Sequence, residues 1–163
     1  MATKVMRTIS IYRGDGKDGI VWEREVGEEA SQEYKAGAPL VYDAASKEIE
    51  EWAGGEDATL IVGVAAIDAT GTTGSAVPYY EANAYNLFEA SLINDTVAYE
   101  LLGTELGVGY SLIKSGTDWY VDVNDTTSEK VVVVGLIDKV GDTNPRVIVR
   151  FLYNMRANDI AQA

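Results

Sequence analysis

Residues 109–152 read GYSLIKSGTDWYVDVNDTTSEKVVVVGLIDKVGDTNPRVIVRFL. Four runs stand out in this stretch: GYSLI (109–113), WYVDV (119–123), VVVVGLI (131–137) and RVIVRFL (146–152). Their β-branched and aromatic side chains suit a pleated, half-buried surface. Between them lie KSGTD, NDTTSEK and DKVGDTNP, rich in residues that turn the chain. Short strands at this even spacing predict an antiparallel β unit that closes into a barrel or folds into two curled sheets.

Working upstream, NDTVAYELLGTELG (94–107) places apolar residues at 97, 98, 101, 102 and 106. That spacing predicts a short helix packed across the mouth of the sheet. VPYYEANAYNLFEASL (77–92) alternates with period two. Tyr80, Ala82, Ala84, Asn86, Phe88, Ala90 and Leu92 form a mainly apolar set and the opposite set is mixed. The asparagines predict a turn around 82–86, with a firmer strand from Leu87. TGTTGSA (70–76) is a small, polar, glycine-rich break that reads as a loop or hinge. TLIVGVAAIDA (59–69) predicts a buried strand in which Gly63 marks a bulge or a close contact. AGAPLVYD predicts a turn before a strand, and GGEDA (54–58) a turn. SKEIEEW is too short for Ile49 and Trp52 to decide between a helical turn and a strand. RTISIY (7–12) and IVWEREV (20–26) read as extended, separated by RGDGKDG (13–19).

The domain reading follows: an N-terminal arm or edge ribbon (1–30), a small β lobe (31–70), a loop (71–76), a larger antiparallel β unit (77–155) and a tail (156–163). The fold class expected is mainly β, with a small antiparallel β-barrel, an additional antiparallel β region and a short helix. A chain of 163 residues buries a core of its own without disulfides or metals.

Composition bounds the chemistry. There are no histidines and no cysteines. The Ser-His-Asp and Cys-His schemes, HExxH zinc sites and thiolate metal sites are therefore excluded. The net charge is −13, and the thirteen basic residues form no dense cluster, so neither nucleic acid nor an anionic membrane is an expected partner. No run approaches the length of a spanning helix, and the start lacks the apolar core of a signal peptide. Glu81, Glu89, Asp118, Asp122 and Asp138 are the carboxylates from which a glycosidase-like pair could be drawn. With twenty-six acidic residues, chance pairing explains them more simply. DVNDTTSE (122–129) lacks the glycine and terminal glutamate of a calcium loop and reads as a polar hairpin loop. GDGKDG (14–19) does not match a phosphate-binding loop. No cofactor, metal or catalytic residue is assigned.

The aromatic residues are the better clue, either to an interface, of which a carbohydrate-binding face is one kind, or to rings stacked in a barrel core. Ten tyrosines and three tryptophans accompany only two phenylalanines. Tyrosine and tryptophan combine an apolar body with a polar handle and suit partly wet contacts.

KAGAPLVYDAASKEIEEWAGGEDATLIVGVAAIDATG (35–71) resembles the small β domain of tailed-phage head decoration proteins, also called capsid cement or stabilisation proteins. The similarity lies in a "G.PL.YD" strand at Gly37–Asp43 and a "VGVA..D" strand at Ile61–Asp68, followed by a glycine/threonine loop. It extends in looser form over residues 30–152. The resemblance implies a β-tulip-like fold and a non-catalytic virion protein. It implies binding to the outer surface of an expanded head, bridging of major capsid protein subunits, self-association as a homotrimer, and synthesis in the host cytoplasm. It also implies an N-terminal arm that orders on the capsid, here residues 3–26, by adding a strand to a capsid edge. The 96–152 region exceeds the smallest family members. Candidate capsid or subunit contacts are Ile9, Ile11, Tyr12, Trp22, Tyr79, Tyr80 and Tyr85. The alternatives are a tail-tube or head-completion protein, or a soluble carbohydrate-binding module.

Overall fold

The computed structural model describes residues 1–13, 20–23, 27–43, 45–54 and 61–152. The GDGKDG loop, most of the GGEDA turn and the 156–163 tail lie outside the described residues. The chain folds into two β units.

The first unit contains β1 (Ser10–Arg13), β7 (Leu87–Asn94), β8 (Val97–Ala98), β9 (Gly109–Ser115), β10 (Asp118–Asp122), β11 (Val131–Leu136) and β12 (Arg146–Phe151). Strands β7, β10, β9, β11 and β12 form a closed ring, because β12 returns to pair with β7. The β9–β10 and β11–β12 hairpins are antiparallel, whereas β10 runs parallel to β7 through Val121↔Leu92 and Asp122↔Ile93. The barrel is therefore mixed and not purely antiparallel. The eight residues of β7 let one strand serve several partners. Its first half lies between β1 and β12, and its second half between β10 and β8.

The second unit is a five-stranded antiparallel sheet in the order β2-β6-β5-β3-β4. It uses β2 (Ile20–Glu23), β3 (Pro39–Tyr42), β4 (Ile49–Glu51), β5 (Ile61–Ala65) and β6 (Val77–Glu81). The TGTTGSA segment therefore joins two neighbouring strands of one sheet, and the chain passes to the barrel through the turn at 82–86. That turn is held by the Asn83 side-chain oxygen, which accepts the Tyr85 and Asn86 N–H groups. The Asn86 amide in turn donates to the Glu81 carbonyl.

The short helix expected over 94–107 is not there; among the described residues none is helical. The segment turns sharply at Asp95 (φ 56°) into β8, and Gly103 and Gly107 also have positive φ. A right-handed helix cannot run through such residues. Its apolar spacing does not mark a buried face either, since Val97, Leu102 and Leu106 are exposed and only Leu101 is fully buried. In the Ile49–Trp52 segment the first three residues form strand β4, paired to β3, and Trp52 follows it.

One apolar core runs through both units, from Leu40, Ile61 and Val64 in the sheet to Phe88, Leu92, Val133 and Phe151 in the barrel. Trp52 from the sheet stacks on Trp119 from the barrel, with centroids 5.3 Å apart and planes tilted by 32°. Glu51 spans the same seam, accepting the Trp119 indole N–H and pairing with Lys114, both at 2.8 Å.

Candidate docking surfaces

β1 is the outermost strand on its side of the barrel sheet. Among the described residues it pairs only with β7, through Ser10↔Glu89 and Ile11↔Phe88, with an irregularity before Arg13. Residues 8–11 border a groove of about 200 Å³ between the barrel and the five-stranded sheet. Ile9 and Ile11 form one wall, and Ala36, Val64, Ala66 and Tyr80 the other. Gly37 sets the width. Its φ is +97°, and a Cβ there would lie 2.5 Å from the Ile9 carbonyl oxygen, so only glycine lets the two backbones approach this closely.

The groove brings together three of the seven candidate contact residues: Ile9, Ile11 and Tyr80. Ile9 is 1% exposed, so it anchors the wall to the core more than it offers surface. Tyr79 is 5% exposed and packs inward against Gly63. Tyr12 and Tyr85 are 52% and 72% exposed. Both belong near the end of β1, where Arg13 pairs with Leu87. Trp22 is on β2 opposite Pro78, and its side chain lies outside the described residues.

Three further exposed apolar side chains were not singled out from the sequence. Leu102, Leu106 and Val140 are all exposed. The loops that carry them are tied together by the hydrogen bonds from Leu101 N–H to the Asp142 carbonyl and from Gly141 N–H to the Leu101 carbonyl. The helical spacing that suggested burial for two of these residues concealed their exposure.

Formal charge is distributed unevenly. Residues 27–81, which include four strands of the sheet, carry eleven acidic side chains against two lysines, Lys35 and Lys47. The rest of the chain holds fifteen acidic and eleven basic side chains. The acidic excess is thus concentrated in one segment of the sequence.

The carboxylates considered for catalysis are engaged within the fold. Asp138 takes a two-point contact from Arg146, at 3.0 and 2.9 Å, and the Arg146 side-chain bonds hold its carboxyl below the usual carboxylate range. Glu89 also pairs with Arg146, at 3.5 Å. Asp122 accepts the Asp95 and Asn124 N–H groups, and Glu81 accepts from Asn83. In the DVNDTTSE loop the Asp125 carboxylate accepts the Thr127 and Ser128 N–H groups, each at 2.9 Å. Trp52 and Trp119 are 1% and 2% exposed, which leaves neither as a stacking face for a sugar. A further cavity of about 450 Å³ lies beside the N-terminus, where Lys4 pairs with Asp142 at 3.3 Å and with Asp138 at 3.7 Å.

No family model, curated protein or solved structure matches the chain.

Proposed function

We propose that the chain is a structural protein of a tailed-phage head, a decoration protein that binds the outside of the expanded capsid and bridges major capsid protein subunits without covalent chemistry. The observation that carries this reading is the groove beside β1. It gathers residues from distant parts of the chain beside a strand that, among the described residues, pairs on one side only, which is a surface suited to another protein. Two further features support the reading. The segments that carry the resemblance, Gly37–Asp43 and Ile61–Asp68, contain β3 and β5, which pair as neighbours. The exposed Leu102, Leu106 and Val140 supply a separate surface for self-association, here proposed as a trimer.

In this role each contact is individually weak. Many copies on one lattice then act together, and the bridging of neighbouring subunits opposes their separation under internal pressure. The chemistry is burial and hydrogen bonding alone, and no cofactor takes part.

Co-sedimentation tests the proposal. The purified chain is mixed with expanded heads and with unexpanded procapsids of the encoding phage. Saturable binding to expanded heads and little to procapsids is expected. Absence of binding to either particle would overturn the reading.

A further inference from the structure

We propose that the loops carrying Leu102 and Val140 bind the same loops of another copy of this chain, with Glu100 of one copy paired to Lys139 of the next. The inference rests on the reading above for its setting and names the residues that join the copies. Three observations lead to it.

The first is that two exposed apolar residues sit on abutting turns. Glu100 bridges Thr143 in antiparallel sense, and Leu101 N–H donates to the Asp142 carbonyl. Lys139 to Asp142 then close a turn, in which Asp142 N–H donates to the Lys139 carbonyl at 2.9 Å. Val140 in that turn lies against the neighbouring one, since a Cβ on Gly103 would be 3.0 Å from Val140 Cγ2. Leu102 precedes Gly103 in the chain. Leu102 and Val140 are 58% and 64% exposed. The second is that both turns are anchored. Leu101 is fully buried, and the buried Glu105 accepts the Leu102 and Gly103 N–H groups. The Asp142 carboxylate accepts the Lys139 N–H. A surface held in place this way loses little freedom on binding.

The third is charge. Glu100 and Lys139 are both exposed, and among the described residues neither side chain has a hydrogen bond or an ion pair. They stand at opposite ends of the paired segment, Glu100 beside Thr143 and Lys139 in the turn. One surface thus offers an unpaired anion on one side and an unpaired cation on the other. A second copy of that surface supplies the complement of both. A uniformly acidic or basic partner would meet one like charge. With a net charge of −13, other contacts between copies are repulsive, so a contact that includes Lys139 is favoured.

The test is sedimentation velocity of the full chain at concentrations up to about 1 mM, the weak end of specific association. Self-association of the unaltered chain is expected. Glu100→Lys and Lys139→Glu should each weaken it by about tenfold, through like charges brought face to face. The two together should restore it to within about threefold, because the pair is reversed and not lost. Leu102→Asp should abolish it. A chain that stays monomeric, single variants that associate as the unaltered chain does, a double variant no better than the singles, or association that survives Leu102→Asp would each overturn the proposal. If Leu102→Asp does not fold, the charge series on exposed positions still decides.

The two readings fail separately. Self-association with this pattern, without co-sedimentation with expanded heads, would sink capsid binding and leave the contact between copies standing. Co-sedimentation of a chain that stays monomeric in solution would sink the contact between copies and leave capsid binding standing.

Discussion

Glu105 and Glu28 show how single side chains hold the loops of this fold. Each is 1% exposed. Glu105 accepts the Tyr99 hydroxyl at 2.6 Å and the Leu102 and Gly103 N–H groups at 2.9 and 2.7 Å. Glu28 accepts from the Thr70 N–H and hydroxyl and from the Gly71 N–H. Burial is the largest single influence on Glu105 and pushes its carboxyl up, but the hydrogen bonds together outweigh it and hold the group below its ordinary range. Burial, and then the Glu105 carboxylate, push the Tyr99 hydroxyl up. Because the folded Glu105 carboxyl is the stronger acid, its contribution is fully present above the unfolded pKa of about 4.3. It is lost as pH falls through the lower, folded pKa. Glu105→Ala should cost about 2–3 kcal/mol in urea unfolding at pH 7, since two N–H groups lose their acceptor. The loss should shrink when the same comparison is made well below pH 4. A cost that stays constant across that range would contradict the assignment. Gly63 offers a packing test. A Cβ there would collide with the Tyr80 carbonyl oxygen and the Tyr79 ring. Gly63→Ala should therefore destabilise by about 1–3 kcal/mol by thermal or urea unfolding, through overpacking.

At the scale of elements, the hairpin segments are legible because their side chains and their turns agree. WYVDV, VVVVGLI and RVIVRFL each contain a strand, and the turn at 82–86 with a strand beginning at Leu87 is as the asparagines suggest. The 94–107 segment misleads because apolar spacing says nothing about the φ values that Asp95, Gly103 and Gly107 adopt. Closure of the ring is illegible for a different reason. It depends on β12 pairing back to β7 and on β10 running parallel to β7, contacts between strands far apart in the chain. The groove was half legible: Ile9, Ile11 and Tyr80 were singled out as aromatic or apolar, but only the fold places them together. Tyr79 and Tyr80 are neighbours with opposite fates, because successive side chains of β6 point to opposite faces. The seam between the units is a testable element as well. Trp119→Phe keeps an aromatic ring against Trp52 and loses the indole bond to Glu51. It should cost about 1–3 kcal/mol, a hydrogen bond to a charged group together with some packing. In a Glu51→Gln background the same change should cost less, and a double-mutant cycle of the two measures the coupling.

For the whole molecule, one continuous core makes the barrel and the sheet a single cooperative body. Trp52→Ala should cost about 3–5 kcal/mol, as truncation of a buried tryptophan does. Hydrogen exchange in the slowest amides of both units should accelerate together, and acceleration confined to the sheet would show that the two units unfold independently. Apolar side chains also reach the surface at more than one place: in the β1 groove and at Leu102, Leu106 and Val140. The most direct measurement is a cryo-EM map of the particle whose genome encodes the chain. The proposed function predicts density on the outer face of the expanded capsid into which the barrel and sheet fit as one body, with the β1 groove against a capsid segment. A map with no density outside the capsid lattice, or with the chain placed in the tail, would contradict it.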